Sequence, residues 1–235
     1  MRKNICIASV IFLLVLVFFG CSDISSPASG NYDNRPIVCL GDSLTEGYGA
    51  SKPHEIDKSK SYPAYLQSRV KVQVVNAGIT GDTAAGGLAR VDKDVLAKNP
   101  QMIIISLGAN DFFQSRPAKD TKADLKAIIN KVKSGNRKIY LASFIGDADW
   151  EASYLQFIPD TVAPGMLALL NEYKRIYSEL IAENPNVGFI PNIWKGIQGG
   201  DMSDPIHPNS EGYKKMAENI LNEIALYLKS NNLLK

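Results

Sequence analysis

Cysteine and histidine are scarce in this chain of 235 residues, which has three and two of them respectively. Cys6 lies in an apolar N-terminal run and Cys21 directly after it, so Cys39 is the one cysteine of the remainder. A lone thiol forms no internal disulfide, and a buried apolar core must therefore hold the fold. His54, His207 and Cys39 have no metal-ligand spacing, which argues against a zinc centre. Asp147, Asp149 and Glu151 lack the regular oxygen-ligand spacing of a calcium loop. No metal and no cofactor is expected. Charge of one sign is also missing. The chain has 26 Lys and Arg against 24 Asp and Glu, a net charge of +2, so no bulk field draws nucleic acid. No repeat period is visible.

What is present begins with a leader. Met1-Arg2-Lys3 is basic, and Ile5 to Phe19 is an almost unbroken apolar run, shorter than the ~20 residues that span a membrane. Residues 1–20 therefore read as a signal peptide, with an uncleaved anchor as the alternative. Phe18-Phe19-Gly20-Cys21 resembles the lipobox of bacterial lipoproteins, in which Cys21 becomes the lipidated first residue of the mature chain. Phe18 departs from that pattern, where Leu is usual. The other reading is an ordinary signal peptide with a chance cysteine. Ser22 to Asn34 is rich in Ser, Pro, Gly and Asn and buries no face, so residues 21–34 read as a flexible tether. The expectation is an exported bacterial protein, membrane-anchored through an N-terminal lipid and facing the periplasm or the cell exterior. Residues 35–235 are one domain by size.

Within the domain, short apolar runs alternate with amphipathic stretches. Strands are predicted at 37–40, 72–76, 102–107, 139–143 and 187–190. Helices are predicted at 62–70, 83–98, 120–133, 166–184 and 210–229. Fully apolar strands each followed by a helix predict an α/β fold, with helices on both faces of a five-stranded parallel sheet. Such sheets bind ligands outside the carboxyl ends of their strands. Gly41-Asp42-Ser43-Leu44 follows the first predicted strand, and Gly78-Ile79-Thr80-Gly81-Asp82-Thr83 the second. Gly108-Ala109-Asn110-Asp111 follows the third, and Asp204-Pro205-Ile206-His207 lies beyond the fifth. A serine, a glycine-rich turn, an asparagine and an Asp/His pair thus share one edge. Acyl transfer needs a nucleophile, a base, a group that orients the base, and donors for an oxyanion.

These four segments, in this order, resemble the blocks of the SGNH/GDSL hydrolases. The stretch Val74 to Arg90 looks especially like that of the bacterial multifunctional esterases with thioesterase and lysophospholipase activity. The resemblance implies a three-layer α/β/α sandwich of flavodoxin-like type. It implies Ser43 as nucleophile, His207 as base and Asp204 as the group that holds the imidazole. It also implies an oxyanion hole made by the Ser43 N–H, the Gly81 N–H and the Asn110 amide. Gly78 competes with Gly81 but lies nearer the strand end, as a turn glycine would. No Gly-x-Ser-x-Gly elbow is present, which disfavours the α/β-hydrolase version of the triad.

Taken singly, Ser43 is an ordinary helix N-cap and Asn110 an ordinary turn residue. Asp42 and Asp111 read as loop-bracing groups, and Cys39 as core packing. Phe112 and Phe113 are expected either to line a substrate pocket or to pack under the next helix. The stretch 144–164, with Trp150, Tyr154 and Phe157, is long for a connection and is expected to be a lid or binding loop. It is also longer than the matching loop of the small multifunctional esterases. Expected substrates are short- to medium-chain acyl esters, lysophospholipids or thioesters, with sugar O-deacetylation as the enzymatic alternative. A tethered binding protein without turnover is the alternative of another class.

Overall fold

Odd and even residues of the central strands face opposite ways, and each set has its own core. The computed structural model describes residues 32–155 and 163–235. In β1 (Ile37–Gly41), Val38 and Leu40 join one apolar cluster while Ile37 and Cys39 join the other. The same split runs through β3 (Met102–Ser106): Ile103 and Ile105 face one way, Met102 and Ile104 the other. A strand apolar at every position is what two-sided burial demands.

The sheet is completed by β2 (Val74–Gly78), β4 (Lys138–Ala142) and β5 (Gly188–Ile190). All neighbours are parallel, in the order β2-β1-β3-β4-β5. The eight α-helices of the described residues are α1 (Ser43–Glu46), α2 (Tyr62–Arg69), α3 (Ala84–Asp94), α4 (Ala109–Phe113), α5 (Ala118–Val132), α6 (Ala148–Leu155), α7 (Ala163–Glu183) and α8 (Ser210–Ser230). Helices α3, α5 and α7 cover one face through Val91, Leu125, Ile128, Tyr173 and Leu180. Helices α2 and α8 cover the other through Leu66, Tyr213, Met216, Ile220 and Ile224. This is the three-layer sandwich expected.

Three helices went unforeseen. Helices α1 and α4 are too short to display a period, and α6 lies inside the stretch expected to be a loop. The second strand starts two residues later than its apolar pattern predicts. The Gln67 amide donates to the Val72 carbonyl (3.0 Å) and accepts from the Val74 N–H (2.8 Å), so the ladder begins at Val74. Asp33, assigned to the tether by composition, is already held by the domain: its carbonyl accepts from the Gln101 amide at 2.6 Å. The leader, Cys21 and Phe157 lie outside the described residues.

The order 2-1-3-4-5 puts a crevice between the carboxyl ends of β1 and β3, where connections leave to opposite faces. Ser43 follows one of those ends and Asn110 the other.

Candidate active site

The site is built from the loops that leave those strand ends. Asp42 caps α1, its carboxylate accepting the Leu44 N–H at 3.0 Å. Ser43 is the first residue of that helix, so its N–H is one of the end donors without an intrahelical acceptor. The Ser43 carbonyl accepts the N–H groups of Gly47 (3.0 Å) and Tyr48 (3.1 Å) and the Tyr213 hydroxyl (3.3 Å). The residue is fixed at its backbone and only 7% exposed. Burial pushes the Asp42 carboxyl up to about 7, with Asp82 and Asp111 adding to the shift.

His207 comes from the segment between β5 and α8. Its Nε2 lies 3.0 Å from Ser43 Oγ, and its Nδ1 lies 2.8 and 3.0 Å from the two Asp204 oxygens. Asp204 Oδ1 also accepts the N–H groups of Ile206 (2.9 Å) and His207 (2.8 Å). The Ser203 N–H donates to the His207 carbonyl at 2.8 Å, and Met202 pairs with Pro208, closing the turn on itself. Burial raises the Asp204 carboxyl, but the Ile206 N–H and His207 outweigh it and hold it below its ordinary value. The Tyr48 ring packs against the imidazole, with centroids 4.5 Å apart. Ser43, His207 and Asp204 thus form one hydrogen-bonded chain, 164 residues apart in sequence at the Ser–His step.

Gly81 and Gly78 are separated by their surroundings. Gly78 donates its N–H to Asn76 Oδ1 at 3.0 Å, and a Cβ there would meet the Glu46 nitrogen at 2.3 Å. It is a packing glycine that lets α1 lie on the strand end. Gly81 has φ +80 and open space where a Cβ would stand. Among the described residues no protein acceptor takes its N–H. Its φ lies in the left-handed region that glycine enters without penalty. The Asn110 amide nitrogen donates to the Asp82 carbonyl at 2.9 Å, which leaves its second hydrogen for the cavity. Asp111 is fully buried and bridges the Ala84 N–H (2.8 Å), the Arg116 guanidinium (2.7 Å) and the Thr121 hydroxyl (3.2 Å).

Ser43, Gly81, Asn110 and His207 open onto one cavity of about 200 Å³. Its walls are largely aromatic: Tyr48, Phe113, Phe144, Trp150, Tyr154 and Trp194. Trp150 and Tyr154 stack nearly parallel at 5.4 Å on α6, and the Trp194 indole donates to the Phe144 carbonyl at 2.7 Å. Among the described residues no lysine or arginine lines it. Among the described residues no group of three or more His, Cys, Asp or Glu side chains is placed to hold a metal ion.

Of the two phenylalanines expected at the pocket, only Phe113 reaches it. Phe112 is 0% exposed, its ring packed among Phe113, Phe144, Tyr154 and Tyr173. Consecutive residues on a helix point about 100° apart, so one turn of α4 cannot aim both at the same space. Tyr48 and Trp194, both at the cavity, belong to no sequence motif, and Arg90 ends the Val74–Arg90 stretch with no role assigned to it. A charge pair four residues apart, Arg90 and Asp94, was the available signal for Arg90, and it reads as an ordinary helix-surface pair.

Residues 39–215 match the model of the GDSL-like lipase/acylhydrolase family. The chain belongs to this family. It is 28% identical over 227 residues to an arylesterase of Vibrio mimicus, covering 93% of this chain and 100% of that protein. It is 32% identical over 188 residues to the thioesterase 1/protease 1/lysophospholipase L1 of Escherichia coli K12, covering 77% of this chain and 79% of the relative. Among solved structures, the crystal structure of TesA superposes with a TM-score of 0.63 at 25% identity, covering 80% of this chain and 97% of that one. A GDSL-family acylhydrolase is a carboxylic-ester hydrolase, and acyl-ester hydrolysis is the reaction class of this chain.

Proposed function

We propose that the chain is a serine esterase that forms an acyl-enzyme on Ser43 and takes small esters whose acyl or aryl portion fits an aromatic cavity. The observation that carries this is the bonded chain Ser43–His207–Asp204 at the cavity wall. His207 Nε2 takes the Ser43 proton as Oγ attacks the ester carbonyl. The Nδ1–H keeps donating to the Asp204 carboxylate, which stabilises the imidazolium. The carbonyl oxygen becomes an oxyanion, received by the Ser43 N–H, the Gly81 N–H and the free Asn110 amide hydrogen. As the carbonyl re-forms, the C–O bond to the leaving group breaks and His207 returns the proton to it. Water then attacks the acyl-serine with His207 again as base, releasing the carboxylic acid and Ser43.

The aromatic side chains that line the cavity, with no lysine or arginine among the described lining residues, favour neutral aliphatic or aromatic portions over a bound phosphate. Thioesters and lysophospholipids remain within range where the acyl chain alone enters. A chain-length series of p-nitrophenyl esters tests the reading, together with labelling by a fluorophosphonate. Turnover and labelling that both vanish in Ser43→Ala are the expected result, with kcat lower by roughly 10³-fold or more. An unchanged rate in that variant, or no turnover of any ester by folded wild-type protein, rejects it.

Residues 1–20 as a signal peptide and Cys21 as a lipid attachment site belong to the same proposal, with the membrane as a partner through that anchor. The sequence pattern alone supports them. No described helix is long and apolar enough to cross a membrane. Mass spectrometry of the mature N-terminus decides: a diacylglyceryl-modified Cys21 is expected, and an unmodified N-terminus elsewhere rejects it.

A further inference from the structure

One side chain on α3 touches two of the three segments that hold a proposed oxyanion donor, and reaches the third through Asp82. Arg90 Nη2 donates to the Gly41 carbonyl at 2.9 Å, two residues before Ser43. Its Nη1 donates to the Ala77 carbonyl at 2.8 Å, at the end of β2. Its Nε donates to Asp82 Oδ2 at 2.7 Å, and Nη2 lies 2.7 Å from the same oxygen. Asp94 Oδ2 takes the remaining contact at 3.2 Å. The Arg90 side chain is 13% exposed and the Asp82 side chain 12%.

Asp82 passes this hold onward. It follows Gly81 directly, and its carbonyl is the acceptor that orients the Asn110 amide. Its carboxylate also accepts the Thr83 N–H at 3.1 Å, where α3 begins. The planar fork of one guanidinium therefore fixes the ends of β1 and β2 relative to each other, and both relative to Asn110. A lysine cannot reproduce that, because an ammonium is a point donor on a flexible stem and cannot span two carbonyls and a carboxylate at once.

We propose that Arg90 is a positioning residue: it holds the Ser43, Gly81 and Asn110 donors at the spacing an oxyanion requires. This rests on the serine-esterase reading above. Small misplacements at a reacting centre cost up to ~100-fold in rate, while ground-state binding in the aromatic cavity does not depend on them.

The test compares wild type with Ser43→Ala, Arg90→Gln, Arg90→Lys, Asn110→Ala and the Arg90→Gln/Asn110→Ala pair. The substrate is p-nitrophenyl butyrate, well below the lowest Tm of the set. Wild-type turnover lost in Ser43→Ala upholds the esterase reading independently of Arg90. Arg90→Gln and Arg90→Lys should each lower kcat by about 10- to 100-fold with KM changed less than about threefold. The cost of Asn110→Ala should shrink at least about threefold once Arg90 is Gln, because its target geometry is already lost. If Arg90→Gln does not fold, Arg90→Lys with a preserved Tm decides alone. Wild-type kcat in either folded variant, an effect on KM only, or strict additivity in the pair overturns the proposal. No turnover by wild type overturns it together with the esterase reading.

Discussion

Asp204→Asn separates the carboxylate's chemical role from its structural one. Asp204 Oδ1 accepts the backbone N–H groups of Ile206 and His207, while Oδ2 makes the shorter contact to Nδ1. An asparagine keeps Oδ1 for the turn and turns an NH2 toward Nδ1. The imidazole must then accept at Nδ1 and carry its proton on Nε2, which faces Ser43 Oγ at 3.0 Å and can no longer take a proton from it. Triads with this fault lose about 10⁴ in kcat, or ~5 kcal/mol of transition-state stabilisation. The turn keeps its N–H acceptor, so stability should fall by only ~1 kcal/mol. Asp204→Ala removes that acceptor too and should cost ~1–3 kcal/mol in addition to the rate. The assay is kcat on p-nitrophenyl butyrate from pH 5 to 9, with Tm for each variant. The Asp204 carboxyl sits below its ordinary value, so its contribution is present above that value and fades only as pH falls beneath it. Across the assay window it stays charged. An Asn variant with wild-type Tm and more than a tenth of wild-type kcat would refute the tautomer argument.

Asp42→Asn should flatten the pH dependence of stability. The buried carboxyl titrates at about 7 in the native state against an ordinary 3.8, so its contribution is full below about pH 4 and lost as pH rises through 7, on the order of 4 kcal/mol. Denaturant unfolding from pH 4 to 8 reads this, and equal slopes in wild type and variant contradict it. Trp150→Ala removes one wall of the cavity and half of the stack with Tyr154. The preferred p-nitrophenyl ester should lengthen by several carbons, and an unchanged chain-length profile would show that α6 does not limit the acyl group.

The five strands were legible because each is buried on both faces and so apolar throughout. Their order was not read from the sequence, since adjacency depends on which helices pack where. Ser43, Asn110, Asp204 and His207 could be placed at one edge because parallel strands put all their carboxyl ends together. Gly81 is preferred to Gly78 already by its distance from the strand end, and the hydrogen bond that Gly78 makes and the space beside Gly81 supply the physical reason. Phe112 illustrates the limit of adjacency: a one-turn helix has no period from which to learn which neighbour faces inward. Arg90 illustrates another, because an arginine on a helix looks solvated until the carbonyls it meets are known.

The turn holding Asp204 and His207 has one further consequence. Asp204 and His207 sit three residues apart and are joined by side-chain and main-chain bonds within that turn. The pair is therefore braced as a unit, and it meets Ser43 through the Nε2–Oγ hydrogen bond. Perturbations between β5 and α8 should then act as a dial on that one distance, scaling the rate without scrambling the relay.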